Sequence, residues 1–398
     1  MSMYKVLDKC LCCGNTSLQK ILDLNDQPLA NSYLKTKDET EDVYPLAINY
    51  CPVCTHIQLT HAVNPDLLFK NYLYVSGTTT TLKEYFKEFV NITSRYTSGK
   101  KVLDIACNDG TQLDAFKEQG YETYGIDPAE NLFPLSSKNH TVVCDYLTKD
   151  SIKKFDGYFE KFDIIIAQNV FAHNSYPKEF LEICKKLLAH NGYLFIQTSQ
   201  ADMVAQNQFD TIYHEHISFF SVKSMQYLAR HAGLYIKDVL KTPIHGNSLV
   251  FVLSKWGPDN SSQFMSSLDL ITPFRMASYA LYCKSIAEET RKVVKMLQQH
   301  NKKVIGYGAA AKGNTFLNFS KFNLDYIVDD NPLKHHLFTP GSRIPILPPE
   351  TLKQETESFV VVPLAWNFFE EIKAKVNSLT QAPVQYIKYF PNVEVVNA

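Results

Sequence analysis

The sequence predicts an α/β protein in three parts: a small zinc-binding module, a central Rossmann-like domain, and a second Rossmann-like domain at the C-terminus. Three observations carry that reading. Two Cys-x-x-Cys pairs, Cys10/Cys13 and Cys51/Cys54, lie near the N-terminus. From "KKVLDIACNDG" onward, short apolar strand patterns alternate with helical patterns, which implies parallel strands covered by helices on both faces. A strand, a small-residue turn and a helix then follow one another twice, at "KKVLDIACNDGTQL" and at "KKVIGYGAAAKGNTFLN".

Taken in order, residues 1–70 form the zinc module, too poor in apolar residues to fold on one core alone. Two knuckles some tens of residues apart make a tetrahedral thiolate site for structural zinc, each turn aiming two thiolates at one ion. A disulfide or a chance cluster is the alternative, and Cys12 competes with its neighbours for the first knuckle. Four sulfur ligands leave no open coordination position, so such a metal holds the fold and does no chemistry.

The central domain spans residues 71–261. Residues 75–97 read as an amphipathic helical lead-in. A strand over 102–105 runs into a turn at Asn108, Asp109 and Gly110, a helix continues to Gln119, and a second strand ends at Asp127. A third strand lies in "YFEKFDIIIAQNVFAHN", followed by a helix over 177–188 and the strand "GYLFIQTS". In the C-terminal domain, residues 262–398, a polar helical connection precedes the second glycine turn. The strands "LDYIVDDNP" and "SFVVVPLAWN" come next, and then a last helix.

Composition narrows the function. Net charge is −1, with no basic block and no acidic tail, so a nucleic acid polymer is not the expected partner. No apolar run approaches the roughly 18 residues of a membrane span, and "MSMYKVLDKC" lacks the apolar core of a signal peptide. A cytoplasmic protein without a membrane partner is the expectation; oligomeric state is not legible, and a monomer is compatible with the sequence.

The first glycine turn is a cradle of nucleotide size. Asp127, ending the second strand, is placed to accept hydrogen bonds from both ribose hydroxyls. A dinucleotide fingerprint needs glycine at three positions, where this chain has Ala106, Asn108 and Gly110. A pyrophosphate would find that turn crowded, whereas the methionine part of S-adenosylmethionine tolerates it, with Asp104 at the strand end to meet an amino group. S-Adenosylmethionine is the expected cofactor; NAD(P) and an empty turn are the alternatives.

The run Tyr213-His214-Glu215-His216 supplies a base, a carboxylate and a phenol within one turn. Removal of a proton beside a carbonyl calls for such a set, with a base whose pKa lies near the working pH. If Tyr213 and His216 act together, the segment is a turn; in an extended strand they would face apart. A catalytic metal held by His214 and His216 is the competing reading, although no H-x-x-x-H pattern or third ligand accompanies them.

With the two knuckles, the stretches "CNDGTQL", "GIDPAEN", "NVFAHN", "FDTIYHEHISFFS", "GYGAAAKGNTFLN", "VDDNP", "TPGSRIPI" and "LAWNF" resemble the sugar C-methyltransferase family along essentially the whole chain. Members methylate carbon 3 of nucleotide-linked 4-keto-deoxysugars. The resemblance implies His216 as the base, with Tyr213, Glu215, His173 and Tyr74 in the active site. It implies contact with S-adenosylmethionine at Asp104, Ala106, Asn108, Asp109, Gly110, Asp127, Pro128 and Asn169. The nucleotide-linked sugar is expected at His245, Asn247, Lys312, Asn314 and Asn318, and the zinc at Cys10, Cys13, Cys51 and Cys54.

Four positions depart from the family pattern: Gln197 replaces a glutamate, Asn247 and Val250 replace a glycine and an arginine, and Ala106 replaces a glycine. None touches the expected base. An NAD-dependent nucleotide-sugar oxidoreductase and a non-catalytic nucleotide-sugar-binding relative are the competing functions. The crowded "ACNDG" turn speaks against the first.

Overall fold

The computed structural model describes residues 3–70, 72, 75–78, 80–198, 203–242, 248–265 and 272–397. Tyr74, His245 and Asn247 lie outside the described residues. The chain separates into two compact units: Met1–Gln19, Asn49–Ala201 and Glu215–Ile271 form one, and Lys20–Ile48, Asp202–His214 and Thr272–Ala398 the other.

The first unit holds a seven-stranded sheet. Its strands lie in the order Tyr235–Thr242, Ser248–Ser254, Leu188–Thr198, Phe162–Gln168, Lys101–Ile105, Glu122–Asp127 and Thr141–Cys144. The last five are mutually parallel, while Ser248–Ser254 runs antiparallel to both of its neighbours. Lys101–Ile105, first in sequence, sits between Phe162–Gln168 and Glu122–Asp127. The winding therefore reverses there, and the carboxyl ends of these strands open a crevice.

Strand periodicity fills the two faces separately. Ile164 and Ile166 join Phe89, Phe116 and Phe195 under the helices Thr80–Thr93 and Thr111–Glu118. Ile165 and Ala167 point the other way, into a cluster with the helices Pro177–Leu187 and Val222–Ala232. Each fully buried phenylalanine contributes roughly 1.5–3 kcal/mol. The helix at 222–232 starts at Ser221, whose hydroxyl accepts from the Ser224 N–H in a reciprocal cap, and ends at Gly233 with φ 73°.

The second unit is built on a six-stranded sheet in the order Ile346–Leu347, Ile327–Val328, Lys303–Tyr307, Phe359–Pro363, Val384–Lys388 and Glu394–Asn397. Numbered by sequence, that order is 3-2-1-4-5-6, with only the last strand antiparallel. This is the doubly wound arrangement of dinucleotide-binding domains. The expected polar connection is the 27-residue helix Pro273–Gln299, started by Thr272. It buries Met276, Tyr279, Cys283, Ile286, Thr290 and Val294, a stripe at spacings of three and four.

The segment between the knuckles in sequence clusters with this second unit. Leu34 and Phe338 exchange backbone hydrogen bonds of 2.9 and 2.8 Å, and Asn314 Nδ2 donates to Ala30 O at 2.7 Å. Among the described residues no helix is long and apolar enough to cross a membrane.

Candidate active site and metal centre

The two knuckles are built alike. In the first, Gly14 N–H donates to Cys10 O and Cys10 N–H to Asn15 O, both at 2.8 Å. In the second, Thr55 N–H donates to Cys51 O and Cys51 N–H to His56 O, both at 2.9 Å. The residue after each last cysteine, Gly14 or Thr55, takes a positive φ of 74° or 62° to close the turn. All four sulfurs lie within 4.8 Å of one another, with Cys10–Cys54 at 3.4 Å and Cys13–Cys51 at 3.5 Å. Zinc bound to four thiolates at about 2.3 Å sets sulfur–sulfur distances of about 3.8 Å, so the cluster fits that ion. Asn15 Nδ2 lies 3.6 Å from Cys51 Sγ and donates to it. Cys12 is buried and stands outside this set, its thiol pushed well up, first by burial.

At the first glycine turn, Asp127 latches the chain: Oδ2 accepts from Asn108 N–H and Oδ1 from Ala129 N–H, each at 2.8 Å. Ala106, Asn108 and Gly110 take φ of 65°, 53° and 87°. A Cβ on Gly110 would stand 3.1 Å from Ser136 Cα, so the third position needs its glycine. The Asn108 and Asp109 side chains are engaged locally. Asn108 Oδ1 accepts from Ser76 N–H at 2.9 Å, and Asp109 accepts from Gly77 N–H and Thr111 N–H at 2.9 and 3.1 Å. They tie the lead-in segment to the turn. Asp104 is buried beneath it, its carboxyl pushed well above the usual range by burial and then by Asp127 and Asp109. Burial also raises Asp127, against the two N–H donors. Pro128 follows, half-buried.

The Tyr-His-Glu-His run is a turn: the chain bends at Tyr213 and turns over His214 and Glu215 before the strand Ser218–Phe219. Glu215 and His216 are buried, at 4% and 6% exposure. Tyr72 OH donates to Glu215 Oε2 at 3.2 Å. The His216 ring stacks on His173 at 5.3 Å and 26°, and His173 stacks on Phe69 at 5.5 Å and 5°. His173 ends the short 3-10 turn Phe171–His173 after the sheet strand, and burial lowers its imidazole to about 4, so the ring is neutral at pH 7. His214 Nε2 lies 3.2 Å from Tyr44 O, and its ring meets Tyr44 edge-on at 5.8 Å. The four cysteines are the one metal-holding group among the described residues, so the metal reading of His214 and His216 finds no third ligand.

Beside these residues, several buried polar atoms have no hydrogen-bond partner among the described residues: Gln168 Nε2, Asn169 Oδ1, His173 Nε2, Gln197 Nε2 and Thr198 Oγ1. All sit at or just beyond the carboxyl ends of two adjacent parallel strands, where such sheets take ligands. Asn169 adopts φ 55° and donates its N–H to Gln197 O at 2.9 Å; Gln197 Oε1 accepts from Tyr85 OH at 2.9 Å. Gln168, Thr198, Tyr72 and Phe69 are additions to the residues read from sequence. Their position at strand ends marks the first two; no local pattern marks the others.

The second glycine turn repeats the latch. Asp329 Oδ2 accepts from Ala309 N–H at 2.7 Å and Oδ1 from Asn331 N–H at 2.8 Å. Here Lys334 Nζ also lies 3.3 Å from the carboxylate and 2.9 Å from Ala309 O. Lys312 stands 5.8 Å from the Trp366 ring, its ammonium lowered by burial against the opposing pull of Asp210. Asp210 is fully buried; Oδ2 accepts from Trp366 Nε1 at 2.6 Å, and Oδ1 has no partner among the described residues. Asn314 is buried on Ala30 O, and Asn318 Nδ2 donates to Pro340 O at 3.2 Å.

The central domain and its cysteine-stapled companion define an S-adenosylmethionine-dependent methyltransferase with a structural zinc site. Family models match the chain in three successive stretches: a zinc binding domain over residues 10–69, a methyltransferase domain over 80–239, and a C-methyltransferase C-terminal domain over 259–391. The protein is an S-adenosylmethionine-dependent C-methyltransferase, its chain matched in turn by all three models. The C-methyltransferase NovU of Streptomyces niveus is 26% identical over 417 aligned positions, covering 100% of this chain and 98% of the relative. A ubiquinone biosynthesis O-methyltransferase of Glaesserella parasuis is 32% identical over 121 positions, covering 28% of this chain and 50% of the relative. Among solved structures, the 1,6-didemethyltoxoflavin-N1-methyltransferase of Burkholderia thailandensis has a TM-score of 0.35 at 18% identity, covering 44% of this chain and 80% of that one.

Proposed function

We propose that this C-methyltransferase methylates carbon 3 of a nucleotide-linked 4-keto-deoxyhexose, with His216 as the base, in the cytoplasmic synthesis of a branched deoxysugar. The observation that carries the reading is the buried turn that sets His216 beside a neutral His173 and places Glu215 next to it in the chain. A carboxylate, a second imidazole and a base in one buried cluster serve proton abstraction from carbon, which methyl transfer to oxygen or nitrogen does not require.

His216 accepts the carbon 3 proton, and the electron pair of that C–H bond moves into the enolate. His173, neutral and with no partner for Nε2 among the described residues, is suited to donate to the keto oxygen as negative charge develops there. Glu215, held by Tyr72, stabilises the imidazolium that forms on His216. Tyr213 and Tyr74 complete the site by resemblance. S-Adenosylmethionine, when bound, supplies the electrophilic methyl group and leaves as S-adenosylhomocysteine. Asp104, Asp127, Pro128, Asn169 and the turn at 106–110 are the proposed contacts to it. Lys312, Asn314, Asn318, His245 and Asn247 are assigned to the nucleotide-sugar. The division at residues 70 and 261 is supported by the spans of the three family models.

The test is proton exchange. The enzyme is incubated in deuterated water with a nucleotide-linked 4-keto-6-deoxyhexose, without S-adenosylmethionine, and carbon 3 is followed by NMR. Exchange that disappears in His216→Asn is expected. No exchange on a substrate shown to bind would overturn the mechanism while leaving the family intact.

A further inference from the structure

The catalytic turn hangs from a ladder that begins at the metal centre. Cys51 N–H closes the second knuckle on His56 O at 2.9 Å, and the strand Ile57–Leu59 starts at the next residue. That strand pairs antiparallel with Ser218–Phe219, Gln58 opposite Ser218 and Ile57 opposite Phe219. Leu59 N–H donates to Ile217 O, and Ile217 N–H donates to Ala172 O, both at 2.8 Å. Ile217 directly follows His216, and Ala172 directly precedes His173. Both histidines are therefore one residue from backbone tied to the strand that leaves the knuckle. Side chains add a cross-link: His56, fully buried, sets Nε2 3.2 Å from Ser218 Oγ and packs its ring on Phe220 at 4.9 Å.

We infer that His56 is a positioning residue for the methyl-transfer reaction, coupling the cysteine knuckle to His216 through Ser218. A strand of two residues is too short to hold its own register, and a slip of one residue would turn its side chains to the opposite face. The His56–Ser218 bond, anchored on the knuckle, fixes that register. The inference rests on His216 being the base.

Three single variants and the double variant Ser218→Ala/His56→Phe test it. Ser218→Ala and His56→Phe each remove the bond, the second keeping a ring against Phe220; Ser218→Thr keeps the hydroxyl. Each is assayed for zinc content, S-adenosylhomocysteine affinity, carbon 3 exchange, the split of kcat from KM, and amide hydrogen exchange across 209–220. Ser218→Ala and His56→Phe should keep zinc and cofactor affinity, expose the Ile217 amide, and slow carbon exchange and kcat about 3- to 10-fold with KM unchanged. The double variant should be no worse than either single, and Ser218→Thr should match the wild type. Additive losses, unaltered Ile217 protection, or loss of zinc or cofactor binding in the single variants would each overturn the coupling. If the wild type shows no carbon exchange while Ile217 protection still falls in the variants, the coupling stands and the assignment of the base fails.

Discussion

His173 offers a pH test of the site. Its ring is stacked between Phe69 and His216, and burial lowers its pKa to about 4, against about 6.5 for an exposed histidine. The unfolded chain therefore binds this proton first as pH falls. The stability from keeping the ring neutral is fully present above pH 6.5 and is lost as pH falls toward 4. Between pH 7.5 and 5 the linkage relation gives a loss of about 1 to 2 kcal/mol, since the ring is only partly buried. His173→Phe keeps the stack and removes the titration. Urea unfolding of wild type and variant at both pH values isolates the difference, because His56 and the cysteine site contribute equally to both proteins. The variant should lose about 1 to 2 kcal/mol less on acidification. Parallel losses would show that His173 is not held neutral, and its role as a neutral donor to the keto oxygen would fall with that.

Two further outcomes are expected. Asp127→Asn turns one of two acceptor oxygens into a donor and leaves the Asn108 or Ala129 N–H unpaired. It should cost about 1–3 kcal/mol of stability and weaken S-adenosylhomocysteine binding at least tenfold by calorimetry. Cys51→Ser should lower bound zinc well below one ion per chain by atomic absorption and reduce the melting temperature, since one of four ligands goes and Asn15 loses its sulfur acceptor.

Much of this site was legible because its signals are local. The second strand ends at Asp127 in both sequence and structure, since an apolar alternation followed by Asp-Pro marks the boundary. The two knuckles announce their geometry by spacing alone. Asp109 capping Thr111 two residues on is an Asx turn, also readable in principle; its bond to Gly77 is not, because 32 residues intervene. The same limit hides Tyr72, whose partner Glu215 is 143 residues away. Residues 20–48 lie between the zinc ligands in sequence, within the span of the zinc binding domain, yet cluster with the second compact unit. Their alternating strands reveal a buried face but not what buries it.

That last segment sets the timetable of synthesis. Ala30 leaves the ribosome 284 residues before the Asn314 that hydrogen-bonds to it. At roughly 5–20 residues per second the wait is on the order of 15 to 60 seconds. The cysteine pairs that flank the segment meet early, so metal capture can pinch its two ends together while its middle still faces water. The nascent chain must carry an unsatisfied loop, already closed at its base, through about two thirds of the synthesis of this sequence. Holdase chaperones and metal supply would therefore act on the yield of this enzyme long before any substrate does.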